Sequence, residues 1–326
     1  MKAVLCKKLG PPEDLVVEDI PSLVPQAGQV VVAVKAAGVN FPDTLIIQGK
    51  YQFKPEPPFS PGGEVAGVVK VIGEGVSSVK VGDHVIAAST FGGFAEEMLC
   101  DADRLVSMPA GMAFEPASAF LLTYGTSYHA LKDRAQLKAG ETMLVLGASG
   151  GVGLAAVQLG KAMGARVIAA ASSDAKLEVC RQNGADEVIN YASEDLRARV
   201  KALTSGKGLD VVYDPVGGPY SEMALRDMAW NGRFLVVGFA AGDIPKVPLN
   251  LALLKGCAIV GVFWGAFTRN EPEKNRRNNE ELLALYMQGK VKPHIHATYP
   301  LSRAGEALNE VLYKRVSGKI VLVTGA

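Results

Sequence analysis

Cysteine is scarce in this chain: Cys6, Cys100, Cys180 and Cys257 are the only 4 among 326 residues, and no Cys-x-x-Cys pair occurs. Such spacing argues against a disulfide framework or a cysteine-built zinc cluster and points to a reducing compartment. Charge of one sign is equally lacking. With 34 basic and 33 acidic side chains the net charge is +1, so electrostatics make no case for nucleic acid or a membrane surface as partner. No apolar run approaches membrane-spanning length, and the opening residues lack the apolar core of a secretory leader. The expected location is cytoplasmic. Internal repeats and low-complexity tracts are also missing.

The remaining composition, 48% hydrophobic and 21% charged, is that of an ordinary globular protein with large cores. Its length exceeds the usual single domain, so two domains are expected. Residues 1–121 carry short β-branched runs at close spacing, such as 30–35, 64–73 and 82–87, which imply a barrel or partly open sheet. From about 122 the rhythm changes. Strands are expected at 143–147, 166–171, 186–189, 209–213, 233–238 and 257–263, with helices between them, including 175–183 and 219–230. That alternation predicts an α/β fold with a doubly wound parallel sheet over 122–263, and a return to the first domain over 264–326. Within that last stretch, the polar segment 269–280 reads as a solvated loop and helix start.

The most informative segment is Leu146-Gly147-Ala148-Ser149-Gly150-Gly151-Val152-Gly153, which follows an apolar strand and opens a helix whose apolar face runs through Val152, Ala155, Ala156, Leu159 and Met163. Ala148, Gly150 and Gly153 stand at the three marked positions of a Gly-x-Gly-x-x-Gly fingerprint, so the backbone can approach a pyrophosphate at the helix N-terminus. A dinucleotide is the expected ligand. An NAD site usually places Asp or Glu about 20 residues onward, at the end of the next strand, to bond the ribose 2′-hydroxyl. Here Ser172 and Ser173 stand there, then Lys176, a set suited to a 2′-phosphate and hence to NADPH, with Asp174 nearby as a counterweight.

Several motifs then occur in order: Gly38-Val39-Asn40-Phe41-Pro42-Asp43, Pro61-Gly62-Gly63-Glu64-Val65-Ala66-Gly67, Gly82-Asp83-His84-Val85, the glycine turn, residues 184–191, Asp214-Pro215-Val216-Gly217-Gly218 and Gly318-Lys319. On these the whole chain resembles the zinc-free quinone oxidoreductase branch of the medium-chain dehydrogenase/reductase superfamily. The resemblance implies a Rossmann domain beside a GroES-like catalytic domain, and hydride transfer from NADPH to a small-molecule quinone or α,β-unsaturated carbonyl. Where zinc relatives carry Cys and His, this chain has Asn40 and Gly63, so no metal is expected; His294 and His296 read as surface or packing residues.

By the same resemblance, Asn40 and Asp43 belong near nicotinamide and substrate, the alternatives being a turn fixed by Asn40 and a helix capped by Asp43. Tyr51 is either a proton donor or part of an apolar lining with Phe53 and Phe59. Cofactor contacts are implied for Asn40, Thr126, Ser149, Gly150, Gly151, Val152, Gly153, Ser172, Ser173, Lys176, Tyr191, Val216, Gly217, Gly238, Phe239, Phe263, Gly265 and Lys319, the last toward the 2′-phosphate. Phe263 and Trp264 have an alternative place at a dimer edge, since the apolar strand 257–263 is able to pair with its copy in a homodimer formed through the Rossmann domain. Two other functions compete: a 2-enoyl-thioester (enoyl-CoA) reductase, whose CoA phosphate would want Arg269, Lys274, Arg276 and Arg277, and a low-turnover NADPH-binding regulatory or structural protein.

Overall fold

A computed structural model describes residues 1–325. It divides into two compact units, Met1–Leu122 joined by the segment from Pro293 onward, and Thr123–Lys292. In chain order the first unit supplies β1 (Lys2–Leu5), β2 (Val16–Asp19), β3 (Gln29–Val39), α1 (Phe41–Ile46), β4 (Glu64–Ile72), β5 (His84–Ala88), β6 (Glu97–Asp101), β7 (Leu105–Ser107) and α2 (Phe114–Ser118). Val30, Val31 and Val32 are fully buried, which suits a central strand covered on both faces. β3 pairs antiparallel with β4 and with β6, and β5 and β7 extend the sheet beyond β4.

The second unit alternates helix and strand. It comprises α3 (Leu121–Tyr128, beginning just before the boundary), β8 (Thr142–Leu146), α4 (Gly151–Ala162), β9 (Arg166–Ala171), α5 (Asp174–Gln182), β10 (Glu187–Asn190), α6 (Leu196–Thr204), β11 (Leu209–Asp214), α7 (Pro219–Leu225), β12 (Met228–Val236), α8 (Asn250–Lys255), β13 (Ala258–Gly261), α9 (Trp264–Asn270) and α10 (Pro272–Met287). All strand pairs are parallel, in the order β10-β9-β8-β11-β12-β13. The order reverses between β8 and β11, the place where such sheets open a crevice at their carboxyl ends. Near-continuous burial of Met143–Leu146 and Val167–Ala171 fits strands covered on both faces. The chain then rejoins the first unit through β14 (Ile295–Pro300), α11 (Ala304–Leu312) and β15 (Lys319–Val323), with β15 antiparallel on β3.

Three expectations need correction. The return to the first unit comes at 293 rather than 264, because α9 and α10 pack within the second unit. The His129 ring stacks on Phe267 with centroids 3.9 Å apart, and Asn278 donates to Asp133 at 2.8 Å. The polar segment 269–280 is therefore mostly helix, its charges paired along α10. The helix expected over 219–230 stops at Leu225, since Met228 already pairs with Leu209 in the sheet.

Gln158, on α4, ties the end of the second unit down. Its Oε1 accepts from the Tyr124 hydroxyl at 2.7 Å and the Lys292 N–H at 2.8 Å, while Nε2 donates to Asn183 Oδ1 at 2.6 Å and the Lys292 carbonyl at 2.9 Å. The side chain is buried, so its loss removes four partners from polar groups shielded from water. Gln158→Leu is expected to lower the unfolding free energy by about 2–4 kcal/mol, seen as a reduced urea midpoint at unchanged slope.

Candidate functional site

In the second unit, the chain leaves buried Leu146 and turns at Gly147, whose φ of +57° is a left-handed conformation that glycine adopts without strain. A Cβ on Gly147 would sit 2.7 Å from Val216 Cγ2. Farther on, a Cβ on Gly153 would strike the Gly147 carbonyl oxygen and lie 2.9 Å from Ala148 Cα. The first turn of α4 thus packs against the strand end as closely as glycine alone permits. With Gly150 as N-cap and no acidic residue in that turn, the leading N–H groups of a 12-residue helix form a site for an anion. Behind it, the Ser127 hydroxyl donates to the Val152 carbonyl at 2.9 Å and shares a 2.9 Å bond with the Tyr213 hydroxyl.

Loops from neighbouring strands close on this turn. Asp214, at the end of β11, accepts from the Val216 and Gly217 N–H groups at 2.8 and 2.9 Å and from the Ser221 hydroxyl at 2.5 Å. Burial raises its pKa, against those three donors. Gly217 lets Phe239 approach, since a Cβ there would lie 3.0 Å from the Phe239 ring, and a Cβ on Gly238 would lie 3.2 Å from the Pro215 carbonyl oxygen. Val216, Gly217, Gly238 and Phe239 are thereby gathered at the carboxyl end of the sheet. Trp264 packs on Gly125, where a Cβ would come 2.9 Å from the indole; Thr126 is its half-buried neighbour in α3. Gly265 follows in α9, and Phe263 is exposed.

At the end of β9, Ser172 is exposed and Ser173 caps α5, its hydroxyl oxygen accepting from the Lys176 N–H at 3.4 Å. The Lys176 ammonium donates to the Ser172 hydroxyl at 3.4 Å. Tyr191 stands at the end of the adjacent strand with its ring 4.4 Å from that of Tyr220. Two hydroxyls, one ammonium and one aromatic ring are brought together here, and the strand itself ends in Ala171 without a carboxylate.

In the first unit a separate polar cluster is almost wholly enclosed. Glu64 and Lys319 are 0% and 4% exposed, and the ammonium lies 3.0 Å from Glu64 Oε1. It also donates to the Val39 carbonyl at 2.9 Å and to Asn40 Oδ1. Asn40 Nδ2 donates to Glu64 Oε1 at 3.1 Å and to the Gly38 carbonyl at 3.2 Å. The other carboxylate oxygen of Glu64 accepts from the Leu122 N–H at 3.0 Å. Asp43 completes the group by accepting from the Asn40 N–H at 2.8 Å, a capping-box contact at the start of α1.

This arrangement bears on two of the expected site residues. Both N–H bonds of the Asn40 amide are engaged within the cluster, which matches the turn-fixing alternative. Lys319 is buried on Glu64, 255 residues away in sequence, with its ammonium engaged inside the first unit. Glu64 was not among the expected site residues; its place in Pro-Gly-Gly-Glu was the available signal. Tyr51 packs half-buried against the first unit's core, while Phe53 and Phe59 both lie against Phe91, with centroids 5.9 and 6.0 Å apart. Among the described residues no group of three or more His, Cys, Asp or Glu side chains has the geometry to hold a metal ion.

Asp43 is pushed up to about 7, chiefly by burial, with the Asn40 N–H and Lys319 opposing and Glu64 adding to the rise. An unfolded Asp titrates near 3.9, so between these values the native state keeps a proton that the unfolded chain has released. The stabilising contribution is complete below about pH 4 and lost as pH rises through about 7. Asp43→Asn should flatten this decline in a series of melting temperatures against pH. Lys319→Met leaves the buried Glu64 charge unpaired and is expected to cost about 3–5 kcal/mol; adding Glu64→Gln should recover part of that loss in denaturant titrations.

Family models match the chain in both units: an alcohol dehydrogenase GroES-like domain over residues 26–110 and a zinc-binding dehydrogenase domain over residues 151–279. A quinone oxidoreductase-like protein 2 homologue of Nematostella vectensis is 40% identical over 99% of this chain and 89% of its own length. Among solved structures, a probable oxidoreductase from Mycobacterium abscessus superposes with a TM-score of 0.90 at 40% identity, covering 99% of this chain and 98% of that one. The Escherichia coli quinone oxidoreductase complexed with NADPH superposes with a TM-score of 0.92 at 31% identity, covering 99% of this chain and 100% of that one. With both units matched and relatives similar along nearly its whole length, the chain belongs to the quinone oxidoreductase branch of the medium-chain dehydrogenase/reductase superfamily.

Proposed function

We propose that the protein is an NADPH-dependent, zinc-independent reductase of quinones or related α,β-unsaturated carbonyl compounds. The observation that carries the cofactor half is the glycine turn closed on α4 together with the strand end bearing Ser172, Ser173 and Lys176 in place of a carboxylate. The Escherichia coli relative's complex with NADPH supports the same reading. The turn residues Ser149, Gly150, Gly151, Val152 and Gly153 hold the pyrophosphate, and Val216, Gly217, Gly238 and Phe239 line the crevice beside it. Lys176 and the two serines take the 2′-phosphate, with Tyr191 beside them. Thr126, Phe263 and Gly265 serve the nicotinamide end. Bound reduced nicotinamide supplies a hydride to the conjugated acceptor.

Zinc independence rests on the donors themselves. Asn40 and Glu64 are already engaged with each other and with Lys319, and Gly63 has no side chain to ligate. Protonation of the reduced acceptor falls to solvent or to the Tyr51 hydroxyl. The thioester reading is less well supported, because Lys274 pairs with Asp133 and Glu271, and Arg276 pairs with Glu273 and Glu280. A homodimer through the second unit is supported by β13, which lies at the sheet edge with Ile259 exposed, near-fully exposed Leu253 in the helix before it and Trp230 exposed on β12.

Oxidation of NADPH followed at 340 nm should proceed with 1,4-benzoquinone or 9,10-phenanthrenequinone, survive a chelator, and be slow with crotonyl-CoA; turnover of crotonyl-CoA alone would overturn the substrate reading. Lys176→Ala is expected to weaken NADPH binding roughly tenfold, the scale of one charge-assisted contact, while leaving NADH nearly unchanged. Ile259→Lys should convert a dimer to a monomer in light-scattering chromatography.

A further inference from the structure

The carboxylate that lies nearest the Ser172–Lys176 corner in sequence, Asp174, is held by a partner on the neighbouring strand. Asn190 Nδ2, at the end of β10, donates to Asp174 Oδ1 at 2.8 Å. The orientation of that amide is set independently. Its Oδ1 accepts from the Ala192 N–H at 3.2 Å, and the Asn190 backbone N–H is engaged with Glu194 Oε2 at 2.8 Å. A flipped amide would place an N–H₂ against the Ala192 N–H and an oxygen against a carboxylate, so the turn after β10 dictates that Asn190 presents a donor to Asp174. In the parallel register Asn190 stands opposite Ala171, the residue that ends β9 just before Ser172.

Asp174 is the first residue of α5 and falls 21 positions beyond Gly153, near the count at which NAD-binding folds place the acid that bonds the ribose 2′-hydroxyl. Left to rotate, an exposed carboxylate there has two opposite effects: it accepts a hydrogen bond from a 2′-hydroxyl and repels a 2′-phosphate. Resting on the cofactor reading given above, we infer that Asn190 is a specificity-determining residue: by holding Asp174 toward β10 it withholds that carboxylate from the ribose and leaves the corner to Ser172, Ser173 and Lys176. Discrimination between phosphorylated and unphosphorylated cofactor is then a property of two strand ends rather than of the β9 end alone.

The test is a set of dissociation constants for NADPH and NADH, measured by nicotinamide fluorescence on the full chain carrying Asn190→Leu, Asp174→Ala, or both. Asn190→Leu frees the carboxylate, so the preference for NADPH over NADH should fall about five- to tenfold, with NADPH weakened and NADH strengthened. Removing the carboxylate as well should restore the wild-type preference, a rescue that simple damage to the β10 turn would not show. Asp174→Ala alone should keep or raise the preference. An unchanged ratio in Asn190→Leu, equal weakening of both cofactors, or a double variant that stays impaired would overturn the inference. A wild-type protein that binds the two cofactors equally would instead overturn the cofactor reading, and this inference with it.

Discussion

The first unit depends on one buried ion pair. Lys319 and Glu64 lie within an apolar sheet core where neither charge is tolerable alone, and the pair is stable because each remaining polar atom finds a partner: the Val39 carbonyl, the Asn40 amide, the Leu122 N–H. The pair stands on β4 and β15, and its partners come from β3, the N-cap of α1 and the start of α3. One electrostatic requirement therefore sets how the turn into α1 leaves β3 and how β15 seats beside it. Asn40 and Asp43 take their positions from this requirement, and the capping box at the start of α1 is the local expression of it.

A different economy governs the second unit. The corner proposed for the cofactor is made by backbone, with Gly147 and Gly153 admitting close approaches that a side chain would block. Buried polar groups serve this backbone: Asp214 organises the loop after β11 through two N–H groups and a hydroxyl, and Ser127 with Tyr213 steadies the carbonyl of Val152. The side chains proposed to recognise the ligand are few and stand at strand ends. Parallel strands with reversed order deliver those ends to one edge, which is why residues from four separate loops converge.

Much of this was legible in the sequence, for physical reasons that differ from element to element. Strands β8 and β9 announce themselves as short apolar runs bounded by glycine, and the expected span 166–171 coincides with the observed one. The glycine turn carries its own context, a strand before and an amphipathic helix after. Long-range electrostatics were not legible. Nothing local to Lys319 says that it will meet Glu64, and an exposed role was the natural reading for a lysine following glycine. The return point to the first unit was misplaced for a related reason: α10 opens on a polar run, and only contacts such as His129 on Phe267 show which unit holds α9 and α10. Asn190 lies inside the motif 184–191, but the role proposed for it was not legible there because it depends on Asp174, 16 residues earlier in sequence and beside it in space.

The placement of β15 has a consequence for synthesis. As the ribosome delivers the chain, β3 and β4 emerge with Glu64 long before Lys319, which follows it by 255 residues, and the whole of the second unit is made in between. That intervening unit is continuous in sequence, whereas the first lacks the partner of Glu64 and the β15 flank of β3 until Lys319 is made. Over that interval β3 presents an unpaired edge along Ala36–Val39, the kind of surface that invites pairing with another chain.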